Sequence, residues 1–180
     1  MKKTGGLKQA VLKAQDLLVV AKVAIAPDRA MLTFAGLSAQ LLMSASEVHA
    51  AVQRATASHL LARDFGELSA NRTALMELLI HGVRYVFPAV FGPVARGIPT
   101  SVSAAPLNQH FEHGEALPVV WPHSTGDLRG LSLCPLYPAV PSACLLDPQL
   151  HQVLALVDAL RAGSSREREL AIELLPRYFQ

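Results

Sequence analysis

Leu37-Ser38-Ala39-Gln40-Leu41-Leu42-Met43-Ser44-Ala45-Ser46-Glu47-Val48 is the stretch on which the fold turns. Its first half belongs to a short helix from about Thr33 to Leu41, with Thr33 as the N-cap. Its second half opens another helix at Ser44. Ser44-Ala45-Ser46-Glu47 has the capping-box spacing, in which the serine oxygen accepts from the Glu47 amide and the carboxylate reaches back to the serine amide. Only Leu42 and Met43 separate the two helices, so the turn is tight. A small residue, Ser38, stands inside the first helix, and apolar Leu41 stands near its end. Val48 faces back from the second helix, and Leu37 and Val52 extend the shared contact. From Phe34 to Gln53 the pattern is that of a helix-turn-helix.

A longer helix precedes it. Leu7, Ala10, Val11, Ala14, Leu17, Leu18, Ala21, Ala24 and Ile25 recur at spacings of three and four, and Pro27 stops the run. The second helix of the motif is expected to continue to about Leu61. Asn71 to His81 reads as a further helix ended by Gly82 in a left-handed cap. Val83-Arg84-Tyr85-Val86-Phe87 has strand composition, with Thr100 to Ala104 as its partner and Pro88–Pro99 as the loop between them. Pro106 to Pro141 is rich in proline and predicts an irregular segment with short strands near Val119–Trp121 and Leu128–Leu133. Asp147-Pro148 opens a helix that Gly163 ends. Ser164-Ser165-Arg166-Glu167 opens the last one, which Pro176 interrupts. The expected fold class is α+β, mainly α. Residues 1–105 form an N-terminal winged helix-turn-helix domain, and residues 106–180 form a Pro-rich segment with C-terminal helices.

The 180 residues are 51% apolar and 17% charged, enough to bury a core without disulfides. No apolar run of about 18 residues suggests a membrane span. Met1-Lys2-Lys3 and the apolar run Leu17–Ala26 loosely resemble a secretory signal, but Lys22 lies inside that run. Two cysteines, Cys134 and Cys144, fit a reducing compartment and hence a cytoplasmic location. The net charge of +2 conceals a division. Residues 1–63 hold eight basic and three acidic residues, a net of +5, and residues 64–180 hold eight arginines and eleven acids, a net of −3. Such asymmetry hints at an anionic partner for the N-terminal part.

The segment Leu37–Val48 is similar to the helix-turn-helix of bacterial winged-helix regulators, which usually have glycine where Leu42 stands. Gly82-Val83-Arg84-Tyr85-Val86-Phe87-Pro88-Ala89, Arg96-Gly97-Ile98-Pro99-Thr100 and Leu136-Tyr137-Pro138-Ala139-Val140-Pro141 resemble a MarR-like group of such proteins whose role is uncharacterised. The resemblance implies transcriptional regulation by sequence-specific binding of double-stranded DNA. The second helix of the motif would then enter the major groove. Ser44, Ser46, His49 and Gln53 face outward, with Gln53 suited to adenine. Arg54 would bind phosphate, as would Arg84 and Arg96 from a wing spanning Val83–Ala104. Regulators of this kind usually pair through helices outside the winged domain. Here the C-terminal helices would either dimerise or pack back on the N-terminal core.

His110, His113, His123, Cys134 and Cys144 could in principle ligate zinc, but their spacing matches no zinc motif, and neither a metal nor another cofactor is expected. No nucleophile elbow, dinucleotide fingerprint or Walker loop occurs, so no enzymatic activity is expected. The alternative to a DNA regulator is a protein-interaction module, such as an antitoxin or an accessory subunit. It is motivated by the weakly basic face of the second helix and the acidic, leucine-rich C-terminal region. Small-molecule sensing in the Pro-rich middle is a third possibility.

Overall fold

An aspartate starts the first helix. Asp16 accepts a hydrogen bond from the Lys13 backbone N–H at 2.8 Å, and α1 runs Ala14–Ile25. The computed structural model describes residues 10–27, 32–64, 67–111 and 117–179. Ala10 to Lys13 are not helical, so α1 begins later than the apolar spacing predicts, and Leu7 lies outside the described residues. Leu17 to Ala21 are all buried, as in a helix with neighbours on every side rather than one apolar face.

Helix α2, Phe34–Leu41, starts at Thr33, whose hydroxyl accepts from the Gly36 N–H at 3.0 Å. Leu42 ends it in the left-handed region, at φ 53° and ψ 40°. That conformation costs a non-glycine residue about 1 kcal/mol. Ser38 holds the turn: its carbonyl accepts from the Leu42 and Met43 N–H groups, and its hydroxyl donates to the Met43 carbonyl. Helix α3, Ala45–Ala57, follows with the Ser44 capping box formed. It ends before Leu61 because His59 turns left-handed and the Leu60 N–H bonds back to the Ala55 carbonyl.

An antiparallel hairpin comes next. Strands β1, Leu61–Asp64, and β2, Glu67–Ala70, pair from Leu61 opposite Ala70 to Asp64 opposite Glu67. The strands expected at Val83–Phe87 and Thr100–Ala104 are not formed. Helix α4, Arg72–Glu77, passes instead through a π turn, Leu78–Gly82, into α5, Val83–Val86. Gly82 is right-handed, at φ −116°, and is not the left-handed cap expected there. Leu75, Leu79 and Val83 explain the continuation: spaced four apart, they form one buried stripe across Gly82 that outweighs local strand propensity. Thr100 leads into a short 3-10 turn, Ser101–Ser103, because its hydroxyl and amide bond elsewhere, to Asp158 and the Val119 carbonyl.

The stretch expected to be a loop holds a strand instead, β3, Phe91–Pro99. It pairs antiparallel with β4, Val119–Pro122, and with β5, Leu128–Leu133, at the two places where short strands are expected. Strands β4 and β5 lie parallel, which closes a three-stranded barrel. Closure brings backbones together at glycines. A Cβ on Gly97 would overlap the Trp121 carbonyl, and one on Gly130 would overlap the Pro118 carbonyl, which accepts from the Leu131 N–H at 2.8 Å.

Three helices follow: α6, Val140–Leu146; α7, Pro148–Ala162; and α8, Ser165–Leu174. Asp147 caps α7 with Pro148 in its first turn, and Ser164 forms the capping box of α8. Pro176 lies in a closing 3-10 turn, Leu175–Tyr178. Helix α7 is the central element, buried from Val153 to Leu160 and packed against α1, α5, α6 and α8. It also bonds to the barrel through buried Asp158, which accepts from the Thr100 hydroxyl (2.8 Å), the Trp121 indole N–H (2.7 Å) and the Arg161 guanidinium. Burial raises the Asp158 carboxyl, and Arg161 acts against that shift. Arg161 also donates to the Phe87 and Pro88 carbonyls. The fold is α+β and mainly helical. One buried cluster runs from α1 to the C-terminal turn, across position 105.

Candidate nucleic-acid interface

Helix α3 buries Val48, Ala51, Val52 and Ala55. One of its flanks is tied inward. Glu47 accepts from the Ser44 hydroxyl at 2.7 Å and from the Tyr137 hydroxyl at 2.8 Å, and these donors hold its carboxyl below the usual glutamate range. Arg54 forms a two-pronged bond to fully buried Asp16, Nε to Oδ2 at 2.8 Å and Nη2 to Oδ1 at 2.6 Å. The same bond raises the arginine further. In the free protein Arg54 therefore joins α3 to α1. Lys22 is likewise paired, 2.6 Å from Asp147.

The other flank presents Ser46, His49, Gln53 and Thr56 to solvent, at spacings of three and four. His49, Gln53 and Thr56 line a groove of about 420 Å³ together with Phe34 and Arg63. Phe34 organises it. Its ring lies 5.2 Å from the His49 ring, and the Arg63 guanidinium sits 4.9 Å over its face. Arg63 stands on β1 and pairs with no acid among the described residues. The flank thus offers two hydroxyls, an imidazole and an amide in one row, bordered by a held cation. It carries no carboxylate, since Glu47 lies on the opposite flank.

Of the residues singled out in the sequence, Ser44, Ser46, His49, Gln53 and Arg54 lie on or cap α3, though the Ser44 hydroxyl is engaged by Glu47 and Arg54 by Asp16. Arg84 and Arg96 are elsewhere, because the Val83–Ala104 hairpin does not exist. Arg84 is on α5, 5.4 Å over the Tyr85 ring, and Arg96 is on β3 opposite Arg129. The residue that sequence reasoning passed over is Arg63. Its only local signal was Gly66 standing between apolar Leu61 and Leu68, the spacing of a short hairpin.

No family model, curated protein or solved structure matches the chain. Among the described residues no helix is long and apolar enough to cross a membrane. Among the same residues no three His, Cys, Asp or Glu side chains converge on a metal-sized site; His113 lies outside them. Cys144 is buried, and burial pushes its thiol up; Cys134 is exposed.

Proposed function

We propose that the N-terminal part is a winged helix-turn-helix that binds double-stranded DNA as a transcriptional regulator, without catalysis. One observation carries the proposal. The order α2, left-handed turn, α3, antiparallel hairpin leaves the Ser46–His49–Gln53–Thr56 row exposed beside Arg63. In such a unit α3 enters the major groove and the hairpin is the wing. Gln53 would read adenine, His49 and Ser46 would donate to bases or phosphates, and Arg63 would bind the backbone. The wing is thus moved from Val83–Ala104 to Leu61–Ala70. The similarity of Leu37–Val48 to bacterial winged-helix regulators, and the MarR-like resemblance, favour the same function.

Salt-titrated binding to the duplex upstream of the protein's own coding sequence tests this. Arg63→Ala should weaken binding on every sequence and lower the salt slope by about 1. The His49→Ala/Gln53→Ala pair should reduce discrimination between the specific duplex and a scrambled one by about tenfold or more. Absence of duplex binding by the parent protein at low salt would sink the proposal. A protein-interaction module is the second reading, favoured by the internal pairing of Lys22 and Arg54, which leaves the unit weakly basic. A stoichiometric partner retained through purification without DNA would support it.

A further inference from the structure

The barrel, and helix α5 that precedes it in the chain, bear cations and aromatic rings that the α3 groove does not use. Residues 78–111 contain no aspartate or glutamate, and residues 117–146 contain only Asp127. Arg96 on β3 stands directly opposite Arg129 on β5. Both are exposed, and among the described residues neither guanidinium has a hydrogen-bond or ion-pair partner. Like charges placed opposite each other weaken a strand pair, so this position suits a bound anion. On the same strand Phe91 is 46% exposed, and on α5 Tyr85 is 75% exposed under the Arg84 guanidinium.

Three kinds of occupant compete for this surface. A partner's β-strand could add to β3, since β4 pairs only with Gly97–Pro99. Pro93 and the irregularity between Phe91 and Val94 interrupt the rest of that edge, and such features block strand addition. A second copy of the chain would set arginines against arginines with only Asp127 to answer them. A nucleic-acid strand with unpaired bases brings both missing complements: phosphates for the arginines and flat π faces for the rings. A duplex brings the phosphates, but its bases stay stacked inside.

We propose that the barrel binds single-stranded nucleic acid, with Arg96 and Arg129 holding phosphate and Tyr85 and Phe91 stacking bases. This site is separate from α3 and does not depend on the duplex-binding proposal. Fluorescence anisotropy of labelled oligothymidine and oligouridine, about 15 nucleotides long, with the full chain at low salt tests it. Arg96→Glu/Arg129→Glu should weaken binding by about tenfold or more and lower the salt slope by about 1.4, two contacts at the single-strand increment. Tyr85→Ala/Phe91→Ala should also weaken binding, by about a hundredfold, because each of the two stacked bases contributes on the order of tenfold. His49→Ala/Gln53→Ala should leave it unchanged, which separates this site from the α3 groove. A preference for one oligonucleotide would identify DNA or RNA as the natural strand. Five results would overturn the proposal: no binding of either oligonucleotide; binding indifferent to both variant pairs; equal competition by a duplex of the same length; equal competition by polyglutamate of the same charge; or a dimer, seen by light scattering, that Tyr85→Ala/Phe91→Ala dissociates.

Discussion

The fold treats Arg54 and Arg96 in opposite ways. Around α1 to α3 the cations meet acids. Arg54 grips buried Asp16, and Lys22 grips Asp147 at the junction of α6 and α7. Around the barrel Arg96 meets Arg129, with no acid between them among the described residues. The basic N-terminal third therefore keeps less free charge than its +5 suggests, and the acidic remainder hides a cationic surface. Charge summed along a chain does not locate the charge that a partner meets.

The largest test compares the two buried carboxylates. Asp158→Ala would strand the Arg161 guanidinium, whose side chain is 4% exposed, and should cost roughly 3–5 kcal/mol. Asp16→Ala should cost less, about 2 kcal/mol, because the Arg54 side chain is 19% exposed and its freed charge can reach water. Urea denaturation gives both values; equal losses would break the distinction between the regions. If the Asp16 variant stays folded, its freed Arg54 should also strengthen duplex binding at low salt.

Leu42→Gly should have a smaller effect of opposite sign. Relief of the left-handed leucine, reduced by the greater freedom of an unfolded glycine, predicts a gain of about 0.5 kcal/mol in the urea midpoint analysis. A loss would mean that the partly exposed Leu42 side chain matters more to the turn than its backbone strain. The smallest effect concerns Glu47. Its carboxyl is lowered in the folded protein, so its contribution is present above the ordinary glutamate value and lost as pH falls through the folded one. The stability difference between parent and Tyr137→Phe should therefore be present near neutral pH and shrink as pH falls below the ordinary glutamate value, as urea midpoints at each pH would show. A difference that grows on acidification would contradict the Tyr137–Glu47 bond.

Much of the helical framework was legible because capping is local. Thr33, Ser44, Asp147 and Ser164 each start a helix where the sequence places it, using atoms at most three residues apart. The short strands β4 and β5 were legible as well. The hairpin was not, because Val83–Phe87 carries a denser strand signal than Leu61–Ala70. That signal was overruled by the buried stripe Leu75, Leu79 and Val83. Strand β3 was hidden by its own composition, since Gly92, Pro93, Gly97 and Pro99 read as a loop. Two of those residues have structural uses there: Gly97 admits the Trp121 backbone, and Pro93 sits where the ladder breaks. On the candidate interface, the α3 row was legible from helical spacing alone, whereas Arg63 depended on the hairpin that was missed.

By itself the sequence determined where most helices begin and which face of α3 turns outward, because hydrogen bonds and side-chain periodicity act within a few residues. Only the tertiary structure decided which strands pair, which cations are neutralised and which are left facing one another. Those outcomes rest on contacts such as Asp16 with Arg54, 38 residues apart, and Trp121 with Asp158, 37 residues apart. Such contacts arise when the core forms, and no local pattern encodes them.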